Sequence, residues 1–308
     1  MSENFIDYPA ALSRLLPSEA VAALNTALQG GLDPTADFPR QALEVSNGEF
    51  LLMPSTSPQA FGIKLISVSA PSHRTDLERI KGTYVLFDGD SLAPTAVIDG
   101  AAVTDIRTPA VSLSVVVTIV PQEDAHPLRT VIFGTGAQAR AHAAAVRDCF
   151  PRREVDIIFI SRTPPADADL AGAWLGAGTN DARRATQAAE LVFLTTTATE
   201  PIVSRNDVRD DAVVIAVGSH SPHAREVAGD LMSIAQVVVE DLETTFREGG
   251  DVILAAEEGS IQREDVVSWS QLARGECSLH RTSPIVFKFT GMGWEDLIIA
   301  QAITAKEA

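Results

Sequence analysis

Positive charge is scarce in this sequence, which has 24 lysine and arginine residues against 41 aspartate and glutamate residues. The formal net charge of the 308-residue chain is therefore −17 at pH 7. Nucleic-acid backbones and anionic membrane surfaces repel such a protein, which excludes general binders of either kind. A phosphate-bearing cofactor is still allowed, because it needs only a locally favourable pocket.

Cysteine is equally scarce, and the spacing of Cys149 and Cys277 is not that of a metal site. We therefore expect two free thiols in a reducing compartment. The first ten residues contain acids instead of a basic region and an apolar core, so we expect no signal peptide. We also expect no apolar run of membrane-spanning length, which predicts a soluble, cytoplasmic protein.

The strongest motif is a G-x-G-x-x-A turn between an apolar run, Val131–Phe133, and a helical stretch with one apolar face. Gly134 allows the tight turn, Gly136 lets a pyrophosphate approach the backbone, and Ala139 lets helix and strand pack closely. The N–H groups that start the helix then face the phosphate oxygens. An ordinary strand-to-helix turn is the alternative. A second strand at 155–160 favours a dinucleotide site, and the residues expected to bind the cofactor are Gly134, Thr135, Gly136, Ala137 and Gln138.

Short strands separated by turn residues dominate the first part of the chain. They predict a mostly antiparallel sheet of about five strands between residues 38 and 98. Asp99-Gly100 predicts a further hairpin turn. Pro109 is suited to the first turn of an apolar helix that ends before Pro121.

Strands alternate with alanine-rich helical stretches from residue 131 onward. This alternation is typical of an α/β fold and predicts a Rossmann-type doubly wound parallel sheet. We assign residues 121–284 to this domain. Residues 1–120 and 285–308, which include a predicted strand at 285–289 and a last helix, are assigned to a smaller α+β domain.

The end of the second strand of the predicted dinucleotide fold distinguishes NAD from NADP. An acid there would bind the ribose 2′-OH and repel a 2′-phosphate. Ser161, Arg162 and Thr163 follow this strand, and their hydroxyl and guanidinium groups can bind a phosphate. Asp156 lies too early in the strand to reach the ribose. A solvated Arg162 is the alternative, but the residues favour NADP(H) over NAD(H).

Further polar residues follow the third and fourth strands of this sheet. Ligands bind at the carboxyl ends of parallel strands, so these positions are candidates for cofactor contacts. They are Thr195, Thr196, Thr197, Val217, Gly218 and Ser219.

Five stretches together resemble the ornithine cyclodeaminase/mu-crystallin family. They are Phe61–Lys64, Ile106–Ala110, Gly134–Ala139, Ala216–Ser219 and Phe287–Met292. The resemblance implies a homodimer in which the smaller, substrate-binding and dimerisation domains join through their sheets. It also implies a nicotinamide cofactor, contacts from Thr83 and Thr290 to that cofactor, and substrates that are small amino, imino or 2-oxo acids.

The same resemblance implies that Arg40, Lys64 and Arg107 hold the substrate. A guanidinium binds an α-carboxylate well, and a lysine beside it can pass a proton to the reacting nitrogen. Two alternatives remain at this point. Lys64 could lie on the exposed face of its strand, opposite Ile63 and Leu65, and Arg107 could be a structural ion-pair partner.

His220 stands where ornithine cyclodeaminases carry the aspartate that transfers protons. A histidine can also relay protons near neutral pH, but it offers no permanent negative charge to hold an ammonium group. His220 as a non-catalytic wall residue is an open alternative, and we do not expect a metal site from His220 and His223. Pro71–His73 also departs from the family pattern, which has Pro-x-Asn at this place.

These observations predict an NAD(P)H-dependent reductase that acts on the C=N bond of a small imino acid, such as a cyclic ketimine. Lys64 is the candidate acid, and Arg40 and Arg107 are the candidate carboxylate ligands. The enzymatic alternatives are ornithine cyclodeamination and alanine-type dehydrogenation. A nucleotide-dependent binding protein is the non-enzymatic alternative.

Overall fold

The computed structural model describes residues 5–70, 79–165 and 170–307, so the departure at Pro71–His73 lies outside the described residues. The chain divides into two compact units. Unit 1 contains residues 1–111 and 291–308, and unit 2 contains residues 112–290. The boundaries expected from the sequence, 120/121 and 284/285, lie near these positions but do not coincide with them.

Unit 1 begins with two helices and continues into a sheet. Its elements are β1 (Phe5–Ile6), α1 (Tyr8–Arg14), α2 (Pro17–Gln29), β2 (Gln41–Val45), β3 (Gly48–Thr56), β4 (Ala60–Ser69), β5 (Ile80–Asp88), β6 (Pro94–Asp99) and the first part of α3 (Gly100–Ile119), a helix whose residues from 112 onward belong to unit 2. Among the described residues the strand order is β1-β6-β5-β4-β3-β2. Strands β2 to β6 pair antiparallel, as predicted, and β1 adds a parallel edge.

Helix α3 differs from the prediction at Asp99 and at Pro109. Asp99 does not form a hairpin turn, because its Oδ1 accepts the N–H of Ala102 at 2.9 Å and caps a helix that begins at Gly100. Pro109 therefore lies inside the helix, not in its first turn. The helix tolerates it because the apolar residues around it, from Ala110 to Val116, are almost all fully buried.

Helix α3 is the segment that bears on the expectation of no apolar run of membrane-spanning length, and it contains the charged residues Asp105 and Arg107. Its 20 residues are long and apolar enough to cross a membrane by length and composition. However, 78% of its most apolar 18-residue window is buried inside the protein, as in the core helix of a soluble protein.

Unit 2 alternates strands and helices. Its elements are β7 (Leu128–Phe133), α4 (Ala137–Cys149), β8 (Val155–Ser161), β9 (Ala173–Gly176), α5 (Asn180–Ala188), β10 (Leu191–Leu194), β11 (Val213–Ala216), α6 (Gly229–Met232), β12 (Gln236–Val239), α7 (Leu242–Glu248), α8 (Gly250–Glu257), β13 (Val267–Ser268), α9 (Trp269–Ala273) and β14 (Ile285–Lys288). The order among described strands is β13-β12-β14-β11-β10-β7-β8-β9, with every pair parallel. This confirms the predicted Rossmann-type sheet beside a second domain.

Strand β14 corrects the predicted domain assignment. It lies between β11 and β12 in the parallel sheet of unit 2, whereas residues 285–308 were predicted to belong to the smaller domain. All four residues of β14 are buried, as expected for an inner strand of a parallel sheet. The chain returns to unit 1 only at Gly291.

The last helix of unit 1 is α10 (Gly293–Thr304), which packs on the sheet across β3, β4 and β5. Short 3-10 helices lie at Pro34–Ala36, Arg205–Asp207, Arg263–Asp265 and Ala305–Glu307. Because side chains alternate along β4, Gly62, Lys64 and Ile66 are buried on one face, while Ile63 and Leu65 are half-buried on the other. The exposed alternative for Lys64 is therefore wrong.

Candidate functional site

The glycine-rich turn of unit 2 has the geometry of a phosphate site. Gly134 has a φ of 116°, a left-handed conformation, and a Cβ on it would lie 2.8 Å from Thr195 Oγ1. Gly136 is the N-cap of α4 and carries no side chain to cap the helix. A Cβ on Gly136 would have no atom within 4 Å, so open space lies beside the start of the helix. A phosphate could occupy this space at the helix N-terminus.

A cavity of about 680 Å³ opens beside this turn, at the carboxyl ends of β7, β8 and β10. The sheet order reverses direction at β7, and this is where open α/β sheets bind ligands. Nine of the predicted cofactor residues line this cavity. They are Gly134, Thr135, Gly136, Ser161, Arg162, Thr163, Thr195, Thr196 and Thr197.

The residues after β8 differ in their availability to a ligand. Ser161 Oγ donates to Thr163 O at 2.7 Å and accepts from Trp174 Nε1 at 2.9 Å, so its proton is already used. Arg162 is exposed at the cavity wall. Arg162 therefore presents its guanidinium group where an added phosphate can bind.

The other predicted cofactor residues do not line this cavity. Ala137 and Gln138 lie in the first turn of α4, and Val217, Gly218 and Ser219 follow β11. Thr290 follows β14, where its N–H and Oγ1 donate to the buried Glu240 Oε1 at 2.7 and 2.6 Å. Thr83 lies in unit 1, and its Oγ1 donates to Ile98 O at 3.1 Å.

His220 is half-buried in the loop that follows β11, and His223 further along this loop is exposed. Within residues 5–70, 79–165 and 170–307, no group of three or more histidine, cysteine, aspartate or glutamate residues could hold a metal ion. The chemistry of His220 is therefore that of a single imidazole beside the strand end.

Unit 1 contains a cluster of opposite charges whose members come from β4, α3 and α10. Lys64 has no exposed surface, and its Nζ donates to Asp296 Oδ1 at 2.8 Å. Arg107 Nε lies 3.3 Å from the same oxygen, and Arg107 Nη1 lies 3.5 Å from Glu295 Oε2. Burial lowers the pKa of Lys64 to about 8, against the opposing effect of Asp296. A lysine with such a pKa can donate a proton near neutral pH.

Arg40 joins this cluster through Gly291. Arg40 Nη2 donates to Gly291 O at 3.1 Å, and a Cβ on Gly291 would collide with the guanidinium of Arg107. The φ of Gly291 is 89°, a second reason why this position favours glycine. The structure therefore brings Arg40, Lys64 and Arg107 together, although they lie far apart in the sequence.

The acidic half of this cluster was not predicted from the sequence. Glu295 and Asp296 are fully buried in α10, a helix of otherwise mainly apolar residues. Adjacent carboxylates in such a helix require partners, and this signal could have pointed to them. Lys288 carries the same signal as Lys64, because it lies in an apolar strand and is fully buried.

The chain is similar to known proteins over nearly its whole length. The model of the ornithine cyclodeaminase/mu-crystallin family matches residues 11–307. A ketimine reductase mu-crystallin from Macropus fuliginosus is 29% identical over 98% of this chain and 95% of its own length. A Delta(1)-pyrroline-2-carboxylate reductase 2 from Burkholderia ambifaria is 28% identical over 98% of this chain and 92% of its own length.

Among solved structures, the Thermococcus litoralis Delta(1)-pyrroline-2-carboxylate reductase in complex with NADH and L-proline is similar to this chain. Its TM-score is 0.86 at 23% identity, over 98% of this chain and 97% of the other. At this identity the likeness establishes the fold.

Proposed function

Because this chain belongs to the ornithine cyclodeaminase/mu-crystallin family, we propose that it reduces the C=N bond of a small imino acid with a hydride from NAD(P)H. The product is the corresponding amino acid. A cyclic ketimine is the proposed class of substrate, since relatives with nearly full-length coverage are named ketimine reductase and pyrroline-2-carboxylate reductase.

The observation that carries this proposal is the cluster of Arg40, Lys64 and Arg107 in unit 1. Arg107 keeps 8% of its side chain exposed, whereas Lys64 is fully buried, so of the two cations beside Asp296 we assign Arg107 to the substrate carboxylate. Its guanidinium fork suits an α-carboxylate. Lys64 shares Asp296 Oδ1 with Arg107 and has a pKa lowered by burial to about 8, so it is the proposed source of the proton for the imine nitrogen.

The residues of unit 2 fit a dinucleotide. The backbone from Gly134 to Gly136 and the first turn of α4 would hold its pyrophosphate, and the cavity beside them would hold its remaining parts. When bound, the nicotinamide supplies the hydride for the imine carbon. Arg162 and Thr163 supply charge and a hydroxyl for a 2′-phosphate, so the proposed preference is NADP(H) over NAD(H).

Ornithine cyclodeamination is the less favoured reaction. His220 stands on the loop after β11, where a cyclodeaminase needs a carboxylate. A neutral imidazole at this position cannot hold the second ammonium group of ornithine by charge.

The proposed assembly is a homodimer formed through the sheet of unit 1. One face of this sheet, here called the open face, carries apolar side chains that remain partly exposed. They are Leu43, Phe50, Leu52, Ile63, Leu65 and Val85. Strand β2 is also an edge strand whose five residues are all exposed. A second copy of the sheet would cover both features.

A substrate panel tests the proposed reaction. The protein is assayed with NADPH against cyclic imines, against pyruvate with ammonia, and with NAD against ornithine, while cofactor absorbance and ammonia release are followed together. We expect NADPH oxidation with a cyclic imine and no ammonia release from ornithine. Ammonia release without net cofactor turnover would show a cyclodeaminase, and no turnover with any substrate would favour a binding protein.

A further inference from the structure

Glu226 joins the ends of two neighbouring strands in unit 2. Its Oε1 accepts the N–H and the Oγ1 hydroxyl of Thr196 at 3.0 and 2.6 Å, just after β10. Its Oε2 accepts the N–H of Gly218 at 2.7 Å, just after β11. A fully buried carboxylate therefore uses both oxygens to hold two loops that carry predicted cofactor residues.

The packing around this carboxylate is specific to it. A Cβ on Gly218 would collide with Thr196 O and would lie 2.6 Å from Glu226 Oε1. Only glycine at position 218 therefore lets the two loops and the carboxylate approach this closely. Thr196 is also a wall residue of the 680 Å³ cavity, so Glu226 lies directly behind that wall.

Buried charges hold Glu226 in place from the other side. Asp251 Oδ1 accepts the backbone N–H groups of Glu226 and Val227 at 2.7 and 2.9 Å. Lys288 Nζ lies 3.0 Å from Asp251 Oδ2 and donates to Ser219 O at 2.6 Å. Lys288 thus ties β14 to the same loop after β11 and places a buried cation beside Asp251.

We infer that Glu226 is a positioning residue, which holds the loops after β10 and β11 in the arrangement that binds the dinucleotide. The inference rests on the proposed function, because it concerns the same cofactor. Glu226 itself does not line the cavity and acts through Thr196 and Gly218. Three hydrogen bonds to one carboxylate, two of them from backbone N–H groups, are the arrangement that fixes a loop most firmly.

Protonation of Glu226 should make the affinity for the cofactor depend on pH, and a residue that only stabilises the fold would not have this effect. Burial raises the pKa of Glu226 to about 7, against the opposing effects of Lys288 and the Thr196 hydrogen bond, while Asp251 adds to the rise. The neutral carboxyl must donate through one oxygen and then holds the loops less well. We therefore expect the affinity for NADH to fall as pH decreases through about 7.

The test compares dinucleotide affinity in Glu226→Gln and wild type by cofactor fluorescence between about pH 6 and pH 8.5. NADH is the probe, because a 2′-phosphate titrates near pH 6 and would obscure the profile. The glutamine amide presents N–H donors to the N–H of Thr196 or Gly218, so we expect the Kd to rise about tenfold at pH 8 and to lose its pH dependence.

Glu190→Gln is the matched control, because Glu190 is also a buried glutamate. It directly precedes β10, so it lies at the amino-terminal ends of the strands, opposite the loops that Glu226 contacts. Glu190→Gln should lower stability without changing the Kd for NADH. A Kd within twofold of wild type in Glu226→Gln at pH 8 would overturn the inference and leave the proposed function standing. If Glu226→Gln does not fold, a wild-type Kd for NADH that does not change with pH overturns the inference. Absence of NADH and NADPH binding to wild type would refute both.

Discussion

Arg162 supplies the positive charge on which the proposed preference for NADP(H) depends. Arg162→Ala should raise the Kd for NADPH about 10- to 100-fold, since a charge-assisted hydrogen bond contributes roughly 1.5–3 kcal/mol. The Kd for NADH should change less than twofold, because NADH has no 2′-phosphate. Fluorescence titration with both cofactors measures this difference.

Arg152→Ala is the control for this prediction. Arg152 is an exposed arginine that precedes β8, at the opposite end of the strand from Arg162. It should leave both affinities unchanged. Equal weakening of NADPH and NADH by Arg162→Ala would contradict a role in phosphate recognition.

Lys64 and Arg107 share one carboxylate oxygen but should affect different kinetic constants. Arg107→Ala removes a contact made before and during hydride transfer, so it should chiefly raise KM for the imine. Lys64→Met keeps the length of the side chain but removes the proton, so it should lower kcat and leave NADPH binding nearly intact. Steady-state kinetics and cofactor titration on both variants test this.

Stability must be measured on the same Lys64→Met sample. Removing one partner of a buried ion pair costs about 3–5 kcal/mol, although Asp296 keeps its contact with Arg107. Lys81→Met, on the exposed part of β5, is the control and should match wild type in every assay. If Lys64→Met turned over the imine at the wild-type rate, the proton would have to come from water or from His220.

A buried histidine in α4, His142, joins α4 to α3. His142 is fully buried in α4, where its Nδ1–H donates to Gln138 O at 2.7 Å. Its Nε2 therefore accepts the hydroxyl of Ser112, in α3, at 2.8 Å. The ring also packs against Phe193, with centroids 5.1 Å apart. Both helices are thus held by a neutral imidazole.

This contact predicts acid sensitivity. Burial lowers the pKa of His142 to about 4, below the 6.5 of an exposed histidine, so the unfolded chain binds the proton first as pH falls. Stability should therefore decrease from about pH 6.5 down to pH 4, with a contribution of about 2 kcal/mol already lost at pH 5. Urea unfolding at several pH values measures the loss.

His142→Gln should unfold more easily than wild type at pH 8 but should lose less stability between pH 8 and pH 5. His126 is 87% exposed, and His126→Gln should behave as wild type. An identical pH dependence in His142→Gln and wild type would assign the acid sensitivity to other groups.

The open face of the unit 1 sheet is the basis for the expected oligomeric state of the whole molecule. We expect sedimentation to show a dimer at micromolar concentration that persists at high salt, since apolar packing and strand pairing are little screened. Leu43→Lys places a charge on this face and should weaken the dimer at least tenfold. Leu92→Lys, at an exposed leucine in the turn after β5, is the control and should leave the dimer intact. A wild-type monomer would contradict this assembly.

Local patterns in the sequence determined the parts of the protein that depend on nearby residues. The turn at Gly134, the alternating strands and helices of unit 2 and the antiparallel strands of unit 1 all follow from glycine placement and hydrophobic periodicity. The resemblance to one family also predicted Arg40, Lys64 and Arg107 as substrate ligands. Lys64 and Arg107 could be named in this way because each lies in a short, recognisable stretch, whereas Arg40 lies outside the five stretches that carry the resemblance.

Tertiary structure alone decided the features that depend on distant residues. Helix α3 continues through Pro109 because residues from elsewhere bury it, and β14 joins the sheet of unit 2 because it fills the place between β11 and β12. The partners of Lys64 and the role of Glu226 were hidden for the same reason. Asp296 lies 232 positions from Lys64, and Glu226 reaches Thr196 from 30 positions away, so neither pairing has a local signal. Burial of a charge demands a partner, but only the folded chain determines which residue it is.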